Sequence, residues 1–268
     1  MTILQAVILG ITQGLTELLP ISSSAHLNII PWLLNWTKSA EFNAAFKGFD
    51  VALHFGTLLA IAIFFFKDWI KLIKGGWGQI RGKKTFEGKM FWYLVIATIP
   101  GGAIGFLLDH FLGDTLEKPL IIGIALLVMG ILLYVVDKIS EAKTQYEDMT
   151  LKQTFLIGLS QSLAFIPGVS RSGVTITTGR LLGVDRESCA KYTFLLSTPI
   201  VFAATLYKAK DFAFGELSFY LGVLASFVVG IFVIKFLMEY IKKGSFKIFA
   251  IYRVIVGALI IALSFIIK

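Results

Sequence analysis

The chain has 268 residues, 56% of them hydrophobic and only 16% charged, with 25 lysines and arginines against 17 aspartates and glutamates for a net charge of +8. Mean hydropathy is +0.80. Soluble domains carry about a quarter charged residues, so a soluble fold is excluded, and the positive charge reads as basic loops at an anionic membrane surface with no nucleic-acid partner. The lone Cys189 excludes an internal disulfide and a cysteine-based metal cluster.

In chain order, MTILQAVILGITQG carries neither a basic leader nor a small-residue cleavage site, so it reads as mature structure and not as a signal peptide. It leads into GITQGLTELLPISSSAH, an apolar segment broken at Pro20 and followed by Ser22, Ser23 and Ser24. Three apolar runs of roughly the 20 residues that cross a bilayer come next, at about 49–66, 90–109 and 119–136. A second broken segment, GLSQSLAFIPGVSRSGVT, begins at Gly158, and three more runs follow at about 190–208, 217–237 and 248–267. No polar stretch is long enough for an appended soluble domain.

The broken segments resemble each other. Gly10 matches Gly158, Thr12 matches Ser160, Gln13 matches Gln161, Leu15 matches Leu163 and, with a one-residue gap, Pro20 matches Pro167. Irregular backbone survives at membrane depth only where protein buries it or water reaches it, so each is expected to be a re-entrant hairpin whose tip meets the other inside the protein. An odd number of spans separates them, so they enter from opposite faces, an inverted-topology repeat of the kind used by transporters. The expected fold is all-α and polytopic: one integral membrane domain with six full spans and two re-entrant helical hairpins, the repeats covering about 1–137 and 150–268. The loop after the first span carries Lys67, Lys71, Lys74, Arg81, Lys83, Lys84 and Lys89, and Lys235, Lys242, Lys243 and Lys247 fall on the same side, which makes that side cytoplasmic. The 109–118 and 209–216 loops then lie outside.

Ionisable groups at membrane depth point to a functional site. Gln13 and Glu17 share a helix face and suit either a hard divalent cation or a general base; Glu17 as packing glue is the competing reading. In PISSSAH, Ser22 and Ser23 offer hydroxyls and His26 a base, or Ser22 simply caps a helix. Arg171 presents a planar fork of donors to phosphate oxygens, with Ser170, Ser172 and Thr175 adding hydroxyls and Gly168 and Gly173 letting backbone approach an anion. A structural Arg171–Glu17 ion pair is the alternative, and the two are compatible. His54 and Arg253 lie near the ends of apolar runs and read as structural. The inventory suits phosphoryl transfer without a nucleotide-binding loop; a lipid transporter using Arg171 as clamp is the second reading.

QGLTELLPISSSAH resembles the (E/Q)xxxE and PxSSxxH motifs, and PGVSRSGVT the PGxSRSxxT motif, of the undecaprenyl-diphosphate phosphatase (bacitracin-resistance) family, with similarity extending to AIYRVIVGAL near the C-terminus. The resemblance implies an enzyme of the bacterial cytoplasmic (inner) membrane, its site opening to the extracytoplasmic side. That enzyme removes one phosphate from a polyprenyl diphosphate, recycles the lipid carrier for peptidoglycan and uses Mg²⁺ or Ca²⁺. It further implies Glu17, Ser23, His26 and Arg171 as catalytic, Ser22, Ser170, Arg171, Ser172 and Thr175 on phosphate, and Gln13 and Glu17 on the metal. Gln13 stands where the family often has glutamate, which weakens a two-carboxylate metal site. Whether Ser23 or His26 attacks is left open, as are a homodimer and lipid flipping.

Overall fold

The computed structural model describes residues 1–112, 116–212 and 214–267, without the side chains of residues 47, 106, 108–110, 112 and 211. The 109–118 and 209–216 loops therefore lie partly outside the described residues. Eleven α-helices are described: α1 (Ile3–Leu18), α2 (Ser23–Leu33), α3 (Ala40–Phe64), α4 (Phe66–Ile80), α5 (Phe86–Leu112), α6 (Pro119–Ile139), α7 (Leu151–Ser160), α8 (Arg171–Leu181), α9 (Arg186–Lys208), α10 (Leu217–Ile241) and α11 (Lys247–Ile266). Among the described residues the only β-type pairing is an isolated bridge between Thr144 and Val184.

Among the described residues four helices are long and apolar enough to cross a membrane, α6, α9, α10 and α11, and α3 is a fifth when its segments Ala40–Phe46 and Gly48–Phe64 count as one span. The remaining expected span, 90–109, lies in α5. The exposed faces of these helices carry Leu224, Phe232, Phe236, Ile255 and Leu259, as lipid-facing surfaces do.

Both apolar segments with a central proline are helices that stop and restart. α1 ends at Leu18 and the chain resumes as α2 at Ser23; α7 passes through a 3-10 turn, Gln161–Phe165, and restarts as α8 at Arg171. The two halves pair in the same pattern. α1 packs on α10, its counterpart α7 packs on α5, α6 packs on α11 and α3 on α9. Small residues make these crossings tight, as membrane helices without a hydrophobic driving force require. A Cβ at Gly10 would stand 2.2 Å from the Gly222 carbonyl of α10, and one at the sequence-matched Gly158 would stand 2.2 Å from the Ala97 carbonyl of α5.

Only residues 81–85 of the basic stretch after the first span form a loop; the part before them is a helix. Phe66, Ile70, Ile73, Trp77 and Ile80 recur every three or four residues and form α4, which packs on α5. At the same end of the bundle Asp137 accepts from Arg180 Nε (3.0 Å), Arg186 Nε (2.8 Å) and the Phe246 amide (3.2 Å), tying α6, α8, α9 and the start of α11 together.

Gly10→Ala is expected to cost about 1–3 kcal/mol by overpacking. Gly102→Ala, where an added Cβ meets nothing within 4 Å, should be neutral or slightly stabilising by helix propensity. Thermal unfolding of both variants in one detergent measures the difference, and equal midpoints would contradict the close α1–α10 crossing.

Candidate functional site

The two restarts share an unusual geometry. Ser22 caps α2 with φ 75° and Ser170 caps α8 with φ 72°, a conformation that non-glycine residues rarely adopt and that collects at functional sites. Each serine hydroxyl accepts from an amide in its helix's first turn, Ala25 N at 3.4 Å and Gly173 N at 3.1 Å. Each also pairs at 3.2 Å with the serine two residues on, Ser24 or Ser172. The other first-turn amides, Ser23, Ser24, Arg171 and Ser172, have no intrahelical acceptor by helix geometry, so two positive helix ends come together.

Arg253 fastens them. Its side chain is fully buried, and its guanidinium donates to Pro20 O at 3.0 Å on one break and to Gly168 O at 2.7 Å and Val169 O at 2.8 Å on the other, with Leu126 O at 3.5 Å. Gly168, at φ +99°, turns its carbonyl onto Arg253, and a Cβ at Gly173 would stand 2.5 Å from Arg253 Nη1. Gly173 therefore makes room for this arginine, while a Cβ at Gly168 would stand 2.6 Å from Ile122 O of α6. Ser172 adds a cross-link, its hydroxyl donating to Leu19 O at 3.2 Å.

Glu17, on the last turn of α1, is the centre of the polar cluster. Arg171 Nη2 bonds its Oε1. Its Oε2 receives Ser23 Oγ at 2.5 Å and Gln13 Nε2 at 3.2 Å, and lies 3.2 Å from His54 Nδ1. Gln13 Nε2 is also 2.9 Å from that ring nitrogen. When Nδ1 carries a proton it donates to Glu17, and when it does not it accepts from Gln13, so the imidazole is held in either protonation state. Glu17, Ser23, Ser24, Asp50, His54, Ser170 and Arg171 line a cavity of about 300 Å³, together with the apolar Val51, Ala164, Ile200, Val201 and Ala204. Ser24, Asp50 and His54 also line an adjoining space of about 180 Å³ bounded by Asn28, Glu117 and Pro167.

Of the expected site residues, Glu17, Ser23, Ser170 and Arg171 meet in this cavity. Gln13 lies fully buried behind it, and Ser22 and Ser172 serve the breaks themselves. Thr175 turns inward, donating to Arg171 O at 2.8 Å and pairing with Thr193 at 2.9 Å. His26 is not brought to the cavity: its Nδ1 meets Ser22 O at 2.7 Å, its Nε2 meets Tyr252 Oη at 2.7 Å, and it stacks on the Tyr252 ring beside α11. The histidine at the carboxylate is His54. Sequence reading set His54 near the end of its run because it began that run at 49; Ser39 caps α3 ten residues earlier, accepting from Phe42 N. Asp50 and His54, i and i+4 in an apolar helix, were the signal that could have found them.

The family described as "Bacitracin resistance protein BacA" matches residues 6–259. The chain belongs to that family. It is 48% identical over 266 residues to an undecaprenyl-diphosphatase of Pelotomaculum thermopropionicum, covering 98% of this chain and 97% of the relative. Proteins of the same name from Desulforudis audaxviator and Moorella thermoacetica are 45% and 44% identical over 262 and 264 residues, covering 97% of this chain and 97% of the first relative, and 98% of both chains for the second.

No group of three or more His, Cys, Asp or Glu side chains stands ready to hold a metal among the described residues. The hard-oxygen donors at hand are the Glu17 and Asp50 carboxylates, which line the cavity, and Gln13 Oε1, a buried acceptor with no partner. That sparse set fits a divalent cation that takes its other ligands from a bound phosphate, not a cage made by the protein alone.

Arg253→Lys keeps the charge but loses the fork that joins the two breaks. At roughly 1.5–3 kcal/mol for each bond to a charged group, the thermal midpoint in detergent should fall by several kelvin, and an unchanged midpoint would dismiss the clamp.

Proposed function

We propose that this chain hydrolyses undecaprenyl diphosphate to undecaprenyl phosphate and inorganic phosphate, returning the lipid carrier to peptidoglycan synthesis and conferring bacitracin tolerance. The observation that carries the reading is the convergence of Ser23 and Glu17 from one sequence repeat with Arg171 from the other, in a cavity lined by both polar and apolar side chains. The diphosphate suits the polar side chains and the first prenyl units suit Val51, Ile200 and Val201.

The terminal phosphoryl group sits between the amide ends of α2 and α8, where Arg171 and the free first-turn N–H groups take up the charge that develops. Drawing Arg171 onto phosphate loosens its pair with Glu17. Ser23 Oγ, already bonded to Glu17 Oε2, gives its proton to that oxygen and attacks phosphorus; the bond to the bridging oxygen breaks and polyprenyl phosphate leaves. Water then attacks the phosphoserine, releasing inorganic phosphate and restoring the hydroxyl. His54 is the second acceptor, able to take the proton from Glu17 through the same oxygen. A divalent cation, Mg²⁺ or Ca²⁺, would be held by Glu17 and Gln13 Oε1 and would screen the diphosphate charge. His26 is a positioning residue on this reading, holding the Ser22 carbonyl.

We place the protein in the bacterial cytoplasmic membrane with six spans and two re-entrant hairpins in one domain, repeats about 1–137 and 150–268. Asp50 at the cavity and basic α4 are separated by roughly 24 Å of helix, which supports a cavity opening opposite the basic, cytoplasmic side. Every site residue comes from one polypeptide, so a homodimer would not be needed to complete it.

Phosphate release from a prenyl diphosphate by purified protein tests the reading. Ser23→Ala and Glu17→Gln should each lose about 10³-fold or more in kcat, and Arg171→Lys about 10²-fold, the scale of a lost oxyanion donor, while lipid binding persists. A transporter would bind the lipid and release no phosphate. His54→Asn should lower kcat by about 10²-fold, the lower range for proton transfer, and displace the pH profile, whereas His26→Asn should leave that profile in place. The reverse pattern would return the base to His26.

A further inference from the structure

α4 carries a surface that catalysis does not use. The helix has three faces. Leu72 and Gly76 are buried against α5, where a Cβ at Gly76 would enter the Phe91 ring and Trp92 Nε1 donates to Gly76 O at 3.3 Å. A second face carries Phe66, Ile70, Ile73, Trp77 and Ile80, exposed by 61%, 37%, 54%, 60% and 63%. Beside it a third face carries Lys67, Lys71 and Lys74, all exposed. The helix's one carboxylate, Asp68, is held on the far side by Lys191 at 2.8 Å, so none of the described ion pairs neutralises those lysines. Arg81, just past the helix, lies over the Trp77 ring at 5.4 Å.

An apolar stripe this exposed, on a helix that starts within two residues of the end of a spanning candidate, lies in the headgroup region of the bilayer, where such helices bury their apolar face by roughly 5–10 Å. The adjacent row of uncompensated lysines gives the surface a sign. We propose that α4 is a binding surface for anionic phospholipid: Phe66, Ile70, Ile73, Trp77 and Ile80 enter the acyl boundary, and Lys67, Lys71 and Lys74 hold headgroup phosphates of neighbouring anionic lipids. α4 docks on the first turns of α5 and follows α3, the helix that carries Asp50 and His54, so a lipid that fixes α4 also fixes the end of an element that builds the cavity.

The test uses the full chain in nanodiscs of phosphatidylglycerol and phosphatidylcholine, with one of the two brominated near the head of its chains. The emission that depends on Trp77, taken as wild type minus Trp77→Phe, should be quenched at least about threefold more by brominated phosphatidylglycerol than by brominated phosphatidylcholine at the same mole fraction. The preference should shrink in about 0.5 M salt and vanish in the combined Lys67→Gln, Lys71→Gln, Lys74→Gln variant. The salt series on wild type decides the matter if that variant folds poorly. Equal quenching by both lipids would overturn the proposal. So would a Trp77 that neither lipid reaches, which would assign the face to a protein partner or a second copy.

Discussion

Breaking a helix inside a membrane leaves carbonyls and amides that water cannot satisfy, and the rest of the structure follows from how this chain resolves that problem at Pro20 and Pro167. The carbonyls of both breaks, Pro20, Gly168 and Val169, turn to the same guanidinium, that of Arg253. The amides that begin α2 and α8 remain on the other side, with Ser22 and Ser170 each engaging one of them. The breaks are thereby polarised: their negative ends are neutralised in the protein interior, and their positive ends are left at the cavity. Free main-chain amides at two helix ends suit an anion.

Side chains then set the chemistry. Arg171 adds a fixed cation to the second helix end, and Glu17, from the first repeat, balances it while accepting from Ser23. A carboxylate at this depth is tolerated because both its oxygens are bonded, in keeping with the cost of unpaired buried charge. The structural ion pair and the candidate site are thus one arrangement. On the proposed mechanism phosphate displaces Glu17 from Arg171 at the moment a base is needed.

Much of this was legible in the sequence because proline, glycine and serine act locally. PISSS and PGVSRS announce helix breaks capped by serine, and the match of Gly10 to Gly158 announces two crossings of one kind. Spacing, however, states which face of a helix a residue shares and not what that face meets. Thr175 lies one turn after Arg171 and so reads as a phosphate ligand, yet that face of α8 packs on Thr193 of α9. His26 follows Ser23 by three residues, yet α2 turns it to Tyr252 while α3, distant in sequence, delivers His54 to Glu17. Arg253 gave no signal beyond a charge in an apolar run, since its partners are main-chain carbonyls that no sequence pattern records. The basic segment 67–89 reads as a loop by charge, although its apolar residues keep helical spacing throughout α4.

The most direct measurement is to find the atom that carries phosphate during turnover. Prenyl diphosphate labelled in its terminal phosphate, quenched rapidly with excess protein and mapped by mass spectrometry, should place the label on the Ser23 hydroxyl. Phosphate on His26 or His54 would contradict the account, because it would move the nucleophile away from the carboxylate that holds Ser23.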